Sequence, residues 1–252
     1  LIFSRICHLA SYNRSMVRSL PWPLLCFLAA LWLQGQAAWA ARPFMTDDAR
    51  LTTEGSCQLE SWTRHYNHRH ENWALPACNP SGNFEVTAGG GQFRADGLPG
   101  SHDTVWQAKT LFRPMTTNGW GWGLAVGRFS HPSSVPGPNN LGSTYLYLPL
   151  SVSTRDDRLV FHANLGWMQD RQTRLQSGTW GAGMEYWAHS RLMLIAESFG
   201  DDRQKPFVQA GLRLSVVPGL FQIDATRGTQ AGSPGRTTWT SIGIRYTPDK
   251  LF

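Results

Sequence analysis

Long apolar runs are missing from this sequence. The longest, residues 20–33, is interrupted by Pro21 and Pro23. It falls short of the ~18–20 residues that an α-helix needs to cross a bilayer. No later segment comes near that length, so a membrane-spanning helix is excluded from the body of the chain. Helical periodicity is equally scarce, which argues against a helical bundle or an α/β fold. Charge is sparse, at 16 % of residues. Arg5, Arg14 and Arg18 lie ahead of position 40 with no acid among them, so the formal charge of +6 falls by three over the remainder. That field is too weak for a nucleic-acid partner. Cysteine is scarce too: four in all, and Cys7 and Cys26 share the leading segment, leaving Cys57 and Cys78.

The leading segment has a recognisable order. Met16 and Arg18 make a short positive start, the apolar run follows, and Ala38-Trp39-Ala40 is a small-x-small cleavage signal. Residues 16–40 therefore read as a secretory signal peptide. Residues 1–15 read as the product of a start site set too early, and residues 41–252 as the mature domain. Export favours a disulfide between the two remaining cysteines.

What recurs in the mature chain is alternation with a period of two, the signature of strands with two different faces. Leu146, Leu148, Leu150 and Val152 share one face; Leu159, Phe161, Ala163, Leu165 and Trp167 share another, opposite His162, Asn164 and Gly166. Val208, Ala210, Leu212 and Leu214 oppose Gln209, Gly211 and Arg213, and Thr240, Ile242, Ile244 and Tyr246 oppose Ser241, Gly243 and Arg245. A soluble β-sandwich and an outer-membrane barrel both produce this pattern. Segments of ~10 residues suit a tilted bilayer crossing, whereas sandwich strands more often run ~5–6. Aromatic residues near strand ends (Trp120, Trp122, Trp167, Trp180, Trp187, Trp239, Tyr246) suit interfacial girdles.

Strands placed at 57–66, 69–78, 83–94, 103–113, 120–130, 143–153, 159–168, 178–188, 191–199, 206–216, 219–227 and 236–246 leave connections that alternate between short and long over most of the chain. Bacterial barrels show that alternation, with short periplasmic turns and longer external loops. The fold class expected is thus all-β: an antiparallel transmembrane β-barrel of about twelve strands in the bacterial outer membrane, following a cleaved signal peptide. In this register Cys57 lies opposite Cys78 at the periplasmic end, so a cross-strand disulfide is geometrically allowed. His65, His68 and His70 lie ~30 Å away at the other end of that hairpin, at ~3.3 Å per residue. A mixed Cys/His metal site is therefore not expected; what stays open is a metal held among the three histidines alone at the cell surface.

The opening ARPFMTDDARLTTEGSCQLE (residues 41–60), with DTVWQAKTLFRP (103–114) and HANLGWMQD (162–170) further on, resembles a bacterial outer-membrane transporter family named for the MetA pathway of phenol degradation. Arg50 and the two cysteines depart from its pattern. The resemblance implies an outer-membrane barrel that handles aromatic or other hydrophobic compounds. It brings no ligand-binding residues with it.

Candidate functional residues follow from the polar faces. Glu60, Glu85, Lys109, His162, Asn164, Glu185, Glu197, Arg213, Asp224 and Arg245 should point into the lumen, because a lipid-facing Arg or Lys costs ~2–4 kcal/mol at mid-depth. They would line either a polar pore or an interior salt-bridge network that fills the barrel. Small barrels of about eight strands are packed shut and those of 16–18 are open, so twelve leaves both possible. The function expected is a channel or transporter for small, hydrophobic or aromatic solutes. The alternatives are a non-conducting structural or surface-binding barrel and, less favoured, a lipid-modifying enzyme. For catalysis, His162 and Asn164 share a face and Ser241 is polar-faced, but no serine motif surrounds it. The chain is therefore not read as an enzyme. Gly89-Gly90-Gly91 lacks the Lys-Ser/Thr of a phosphate loop and reads as a bend or close backbone approach. No cofactor or metal is called for. The partners expected are the outer-membrane bilayer and a small solute.

Overall fold

The structure is a computed structural model that describes residues 44–97, 100–130, 144–170, 173–233 and 237–252. Residues 16–40, read above as a signal peptide, the fifteen residues before them and the Pro/Gly-rich segment 131–143 lie outside the described residues. Twelve strands follow one another: β1 Ser56–Tyr66, β2 Arg69–Asn79, β3 Glu85–Ala95, β4 Ser101–Arg113, β5 Trp120–Ser130, β6 Thr144–Thr154, β7 Leu159–Gln169, β8 Gln176–His189, β9 Leu192–Asp201, β10 Phe207–Val217, β11 Phe221–Gln230 and β12 Trp239–Tyr246. Each pairs antiparallel with its neighbours in sequence, and β1 pairs with β12 from Leu59↔Tyr246 to Tyr66↔Trp239, closing the barrel. Closure leaves no sheet edge, which is the condition for a β-structure to sit in hydrocarbon.

The two faces are inverted relative to a soluble protein. On β6 the outward residues Leu146, Leu148, Leu150 and Val152 are exposed, while Tyr145, Tyr147, Ser151 and Ser153 are buried inside. The same alternation carries Phe161 and Leu165 outward on β7, Leu212 and Leu214 on β10, and Ile242 and Ile244 on β12. A belt of exposed aliphatic side chains around a closed barrel with a polar interior is favourable only where lipid surrounds it. The protein is an outer-membrane β-barrel.

Two of the seven strand-end aromatics expected in the interfacial girdles turn inward instead. Trp239 is 1 % exposed and packs with Phe199 and Phe207, and Trp187 packs against Phe44, Met193 and Ile195. Both sit on the polar parity of their strands, Trp239 in step with Ser241 and Arg245.

Local irregularities have identifiable causes. The β2–β3 and β5–β6 registers are interrupted beside Pro76 and Pro149, since proline has no N–H to give a ladder. The glycine run on β3 is a close approach: a Cβ on Gly91 would stand 2.5 Å from the Trp73 ring. At the periplasmic end, Arg155, Asp156 and Asp157 adopt positive φ in the β6–β7 turn. They are held by the neighbouring β4–β5 turn: Asn118 Nδ2 donates to Asp156 Oδ1 at 2.6 Å, and Thr117 Oγ1 to Asp157 Oδ2 at 2.6 Å.

Cys57 and Cys78 are register partners joined by a disulfide, with Cα atoms 4.0 Å apart. The bond sits at the periplasmic base of the β1–β2 hairpin. His65 and His70 stack at the other end with ring centroids 6.2 Å apart, and His68 Nδ1 lies 3.3 Å from Asp96. Among the described residues no group of three or more His, Cys, Asp or Glu is placed to hold a metal ion. Closing a loop of this size constrains the unfolded chain by about 3 kcal/mol. Replacing both cysteines with alanine is therefore expected to lower the urea midpoint of unfolding, and dithiothreitol should have the same effect on the parent alone.

Candidate functional site

The lumen is occupied by the chain itself. Residues 44–53, the Phe-Met-Thr-Asp-Asp-Ala-Arg-Leu-Thr-Thr stretch that precedes β1, run inside the ring of strands. They pair with no strand; their backbone is satisfied by side chains projecting from the wall. Glu197 on β9 accepts from two successive amides, Met45 N–H at 2.8 Å and Thr46 N–H at 2.7 Å. Asn164 on β7 imitates a strand partner: its Oδ1 accepts from Asp47 N–H at 2.7 Å and its Nδ2 donates to Asp47 C=O at 2.8 Å. Ser151 Oγ on β6 accepts from Ala49 N–H at 2.8 Å, and Glu85 Oε2 on β3 from Thr52 N–H at 2.7 Å. Buried backbone groups must find partners; here these four wall side chains, with Asn79 Nδ2 donating to Thr52 C=O at 2.7 Å, supply most of them, while the Asp48 and Arg50 amides donate to Asp47 and Asp48 Oδ1 within the strap.

Side-chain charges repeat the arrangement. Lys109 Nζ stands 3.0 Å from Asp47 Oδ1 and 3.5 Å from Asp48 Oδ1. Tyr147 Oη donates to Asp47 Oδ2 at 2.6 Å. Arg50 reaches Glu185 at 3.3 Å. Behind it, Arg213 Nη1 donates to Glu185 Oε1 and Arg213 Nε to Asp224 Oδ1, each at 2.6 Å. Space is cut to match: a Cβ on Gly183 would lie 2.3 Å from the Phe44 ring, and one on Gly181 2.6 Å from Thr46 Oγ1. Ala49 is fully buried.

All ten of the polar residues singled out from the sequence are buried on the inner face. Glu85, Lys109, Asn164, Glu185 and Glu197 touch the strap. His162 meets the Phe44 ring edge-on at 6.2 Å between centroids and also lies beside Glu185; Arg213 and Asp224 stand behind Glu185, and Glu60 and Arg245 face each other across β1 and β12. Arg245 donates to Thr247 Oγ1 at 3.0 Å and also to Gln58. A void of about 40 Å³ remains between strap and wall, bounded by Glu60, Glu85, Lys109 and Arg245. Sequence reasoning missed the strap, and with it Ser151, Tyr147, Gly181 and Gly183.

His162 finds a serine, but not Ser241. Ser241 Oγ donates to Thr63 C=O at 3.0 Å across the β1–β12 seam. The hydroxyl near His162 is Ser151, with Oγ 2.8 Å from Nδ1, and His162 Nε2 lies 3.4 Å from Glu185. The order Ser-His-acid is that of a hydrolase, but the chemistry is not. Ser151 Oγ already accepts the Ala49 amide, and both Ser151 and His162 are buried. A nucleophile needs a path for its substrate and donors for an oxyanion; here the strap fills that space. The trio links strap to wall.

The external half of the lumen is aromatic. Trp62 and Trp73 stack at 5.8 Å, and Phe93 and Phe129 pack on Trp73 at 5.6 and 5.7 Å. Tyr145 and Tyr147 stack at 6.1 Å; the Tyr145 hydroxyl donates to Gln107 Oε1 at 3.0 Å, and the Tyr147 oxygen, whose proton goes to Asp47, lies 3.1 Å from the same atom. Across the lumen Phe199, Phe207 and Trp239 form a second cluster with Met45 and Tyr66.

A polar, plugged periplasmic half beneath an aromatic external half is the architecture to set beside known proteins. Residues 27–247 match the model of a family described as uncharacterised conserved protein UCP029691. The chain belongs to this family. No curated protein matches. Among solved structures, the KdgM porin in complex with disordered oligogalacturonate is similar at TM-score 0.57 and 11 % identity, covering 76 % of this chain and 99 % of its own. The NanC porin is similar at TM-score 0.51 and 13 % identity, covering 76 % and 100 %. At these identities the likeness is one of fold. The resemblance read from residues 41–60 holds as far as an outer-membrane barrel. The phenol-pathway name is not the one its family carries.

Proposed function

We propose that this protein is an outer-membrane channel for small hydrophobic or aromatic solutes, seen here with its lumen closed by residues 44–53. The observation that carries the reading is how the strap is held. It forms no ladder with the wall and ends its contacts in side chains, so it can leave without disturbing the barrel's own hydrogen bonds. The aromatic external half supports an aromatic or apolar solute, since stacked rings with a few hydroxyls bind such molecules by face contact and leave charged solutes unfavoured. The porin-like fold is consistent with passage.

A second reading, a non-conducting structural barrel, is favoured by the small void left inside. Ion conductance in planar bilayers separates the two. The parent protein is expected to be silent, and a chain lacking residues 44–53 to conduct. A strapless, correctly folded and silent barrel would leave only the structural reading.

A further inference from the structure

One feature of the outer wall is unlike the aliphatic belt around it. Register pairs run without a break across nine strands: Phe161↔Met184, Met184↔Ala196, Ala196↔Ala210, Ala210↔Arg227, Arg227↔Thr240, Thr240↔His65, His65↔His70 and His70↔Arg94. All are on outward parity. The row begins near the periplasmic end of β7 with apolar residues and finishes one residue from the external end of β3 with basic ones. Strands tilted by ~35–45° make such a row climb through the membrane.

The lower part of the row is a groove. Ala182, Ala196 and Ala210 form its floor, with Phe161, Met184 and Val208 standing higher around it. It is open to the surroundings, has a volume of about 970 Å³ and ends against Arg227, Thr229 and Thr238. Arg227 and Arg94 are exposed, and among the described residues neither takes part in an ion pair. No acidic side chain stands in the row. An unpaired arginine on a lipid-facing wall is unfavourable, and a lipid phosphate is the anion available there. Guanidinium suits it because its fork of N–H donors matches phosphate oxygens.

We infer that this wall binds a phosphorylated lipid of the outer leaflet, the lipid A part of lipopolysaccharide, with an acyl chain in the alanine-floored groove and a phosphate on Arg227 and the basic residues above it. The inference is independent of whether the lumen conducts. It explains why small residues are collected on one lipid-facing sector and why the only charges in that row are positive.

The test is lipid retention by the purified full chain, followed by native mass spectrometry against bisphosphorylated lipid A, its fully dephosphorylated form and phosphatidylglycerol. The parent is expected to prefer bisphosphorylated lipid A by about tenfold over the dephosphorylated form, the loss of one charge-assisted contact. Arg227→Gln should lose that preference and Arg227→Lys should keep most of it, each variant being checked for folding by heat-dependent gel mobility. Equal binding of the two lipid A forms by the parent, which needs no variant, would overturn the phosphate site. So would an unchanged preference in a folded Arg227→Gln. Phosphatidylglycerol binding as tightly as lipid A would overturn the assignment to lipopolysaccharide.

Discussion

A chain carrying Asn164→Ala and Glu197→Ala is expected to open to ions where the parent is closed. Those two side chains hold the upper strap. Glu197 accepts the Met45 and Thr46 amides, and Asn164 pairs with both the amide and the carbonyl of Asp47. Their removal leaves three amides inside the barrel without acceptors, Thr46 buried and Met45 and Asp47 half-buried, at about 1–3 kcal/mol each. A loss on the order of 3 kcal/mol shifts a two-state equilibrium more than a hundredfold toward release. The lower strap remains tied through Ser151 and Glu85, and through Lys109 to Asp48, so intermittent opening is expected rather than the steady conductance of a strapless chain. Maleimide labelling of a cysteine introduced by Ala49→Cys provides a second reading, because Ala49 is fully buried when the strap is seated. Labelling should be slow in the parent background and fast in the double variant. Absence of both conductance and labelling in a folded double variant would show that the strap is a fixed part of the core.

Arg213→Met should be the most damaging single substitution to the barrel's stability. Arg213 is fully buried and bridges Glu185 and Asp224 at 2.6 Å each. Removing one member of a buried ionic cluster leaves the others uncompensated and costs about 3–5 kcal/mol. The damage should be undone in large part by pairing Arg213→Met with Asp224→Leu and Glu185→Gln, because the loss comes from stranded carboxylates rather than from packing. Urea titration of the protein in detergent micelles, read by tryptophan fluorescence, measures both. A change below about 1 kcal/mol in the single variant would mean that the three groups are hydrated.

The strands were legible because an inverted barrel carries its environment in its alternation: Leu146 to Val152 and Val208 to Leu214 expose one parity to lipid, and the charged residues share the other. The Cys57↔Cys78 register followed from pairing two strands about a two-residue tip. Trp187 and Trp239 were misplaced because their nearness to strand ends was given more weight than their parity. Ser151 was overlooked although it stands on the inner parity of β6. The strap was not legible for a different reason. It has no periodicity, and its partners lie on β2, β3, β4, β6, β7, β8 and β9, some more than a hundred residues away, as with Thr46 and Glu197. What distinguishes such a segment is complementarity with distant side chains, which no local window contains. The paired Asp47 and Asp48 against a lone inward Lys109, and the small residues at 181 and 183, are the traces it leaves.

The strap is joined to β1 through Glu54 and Gly55, and Gly55 is anchored to Asn79 and to the carboxy-terminal residues beneath the barrel. Strap and barrel are therefore one tethered molecule. A short tether presents its end to its own lumen at an effective concentration in the millimolar range, whatever the protein's abundance in the membrane. In the proposed channel, reclosure is then unimolecular and needs no second component. A free peptide copying residues 44–53 would have to reach millimolar levels before it competed.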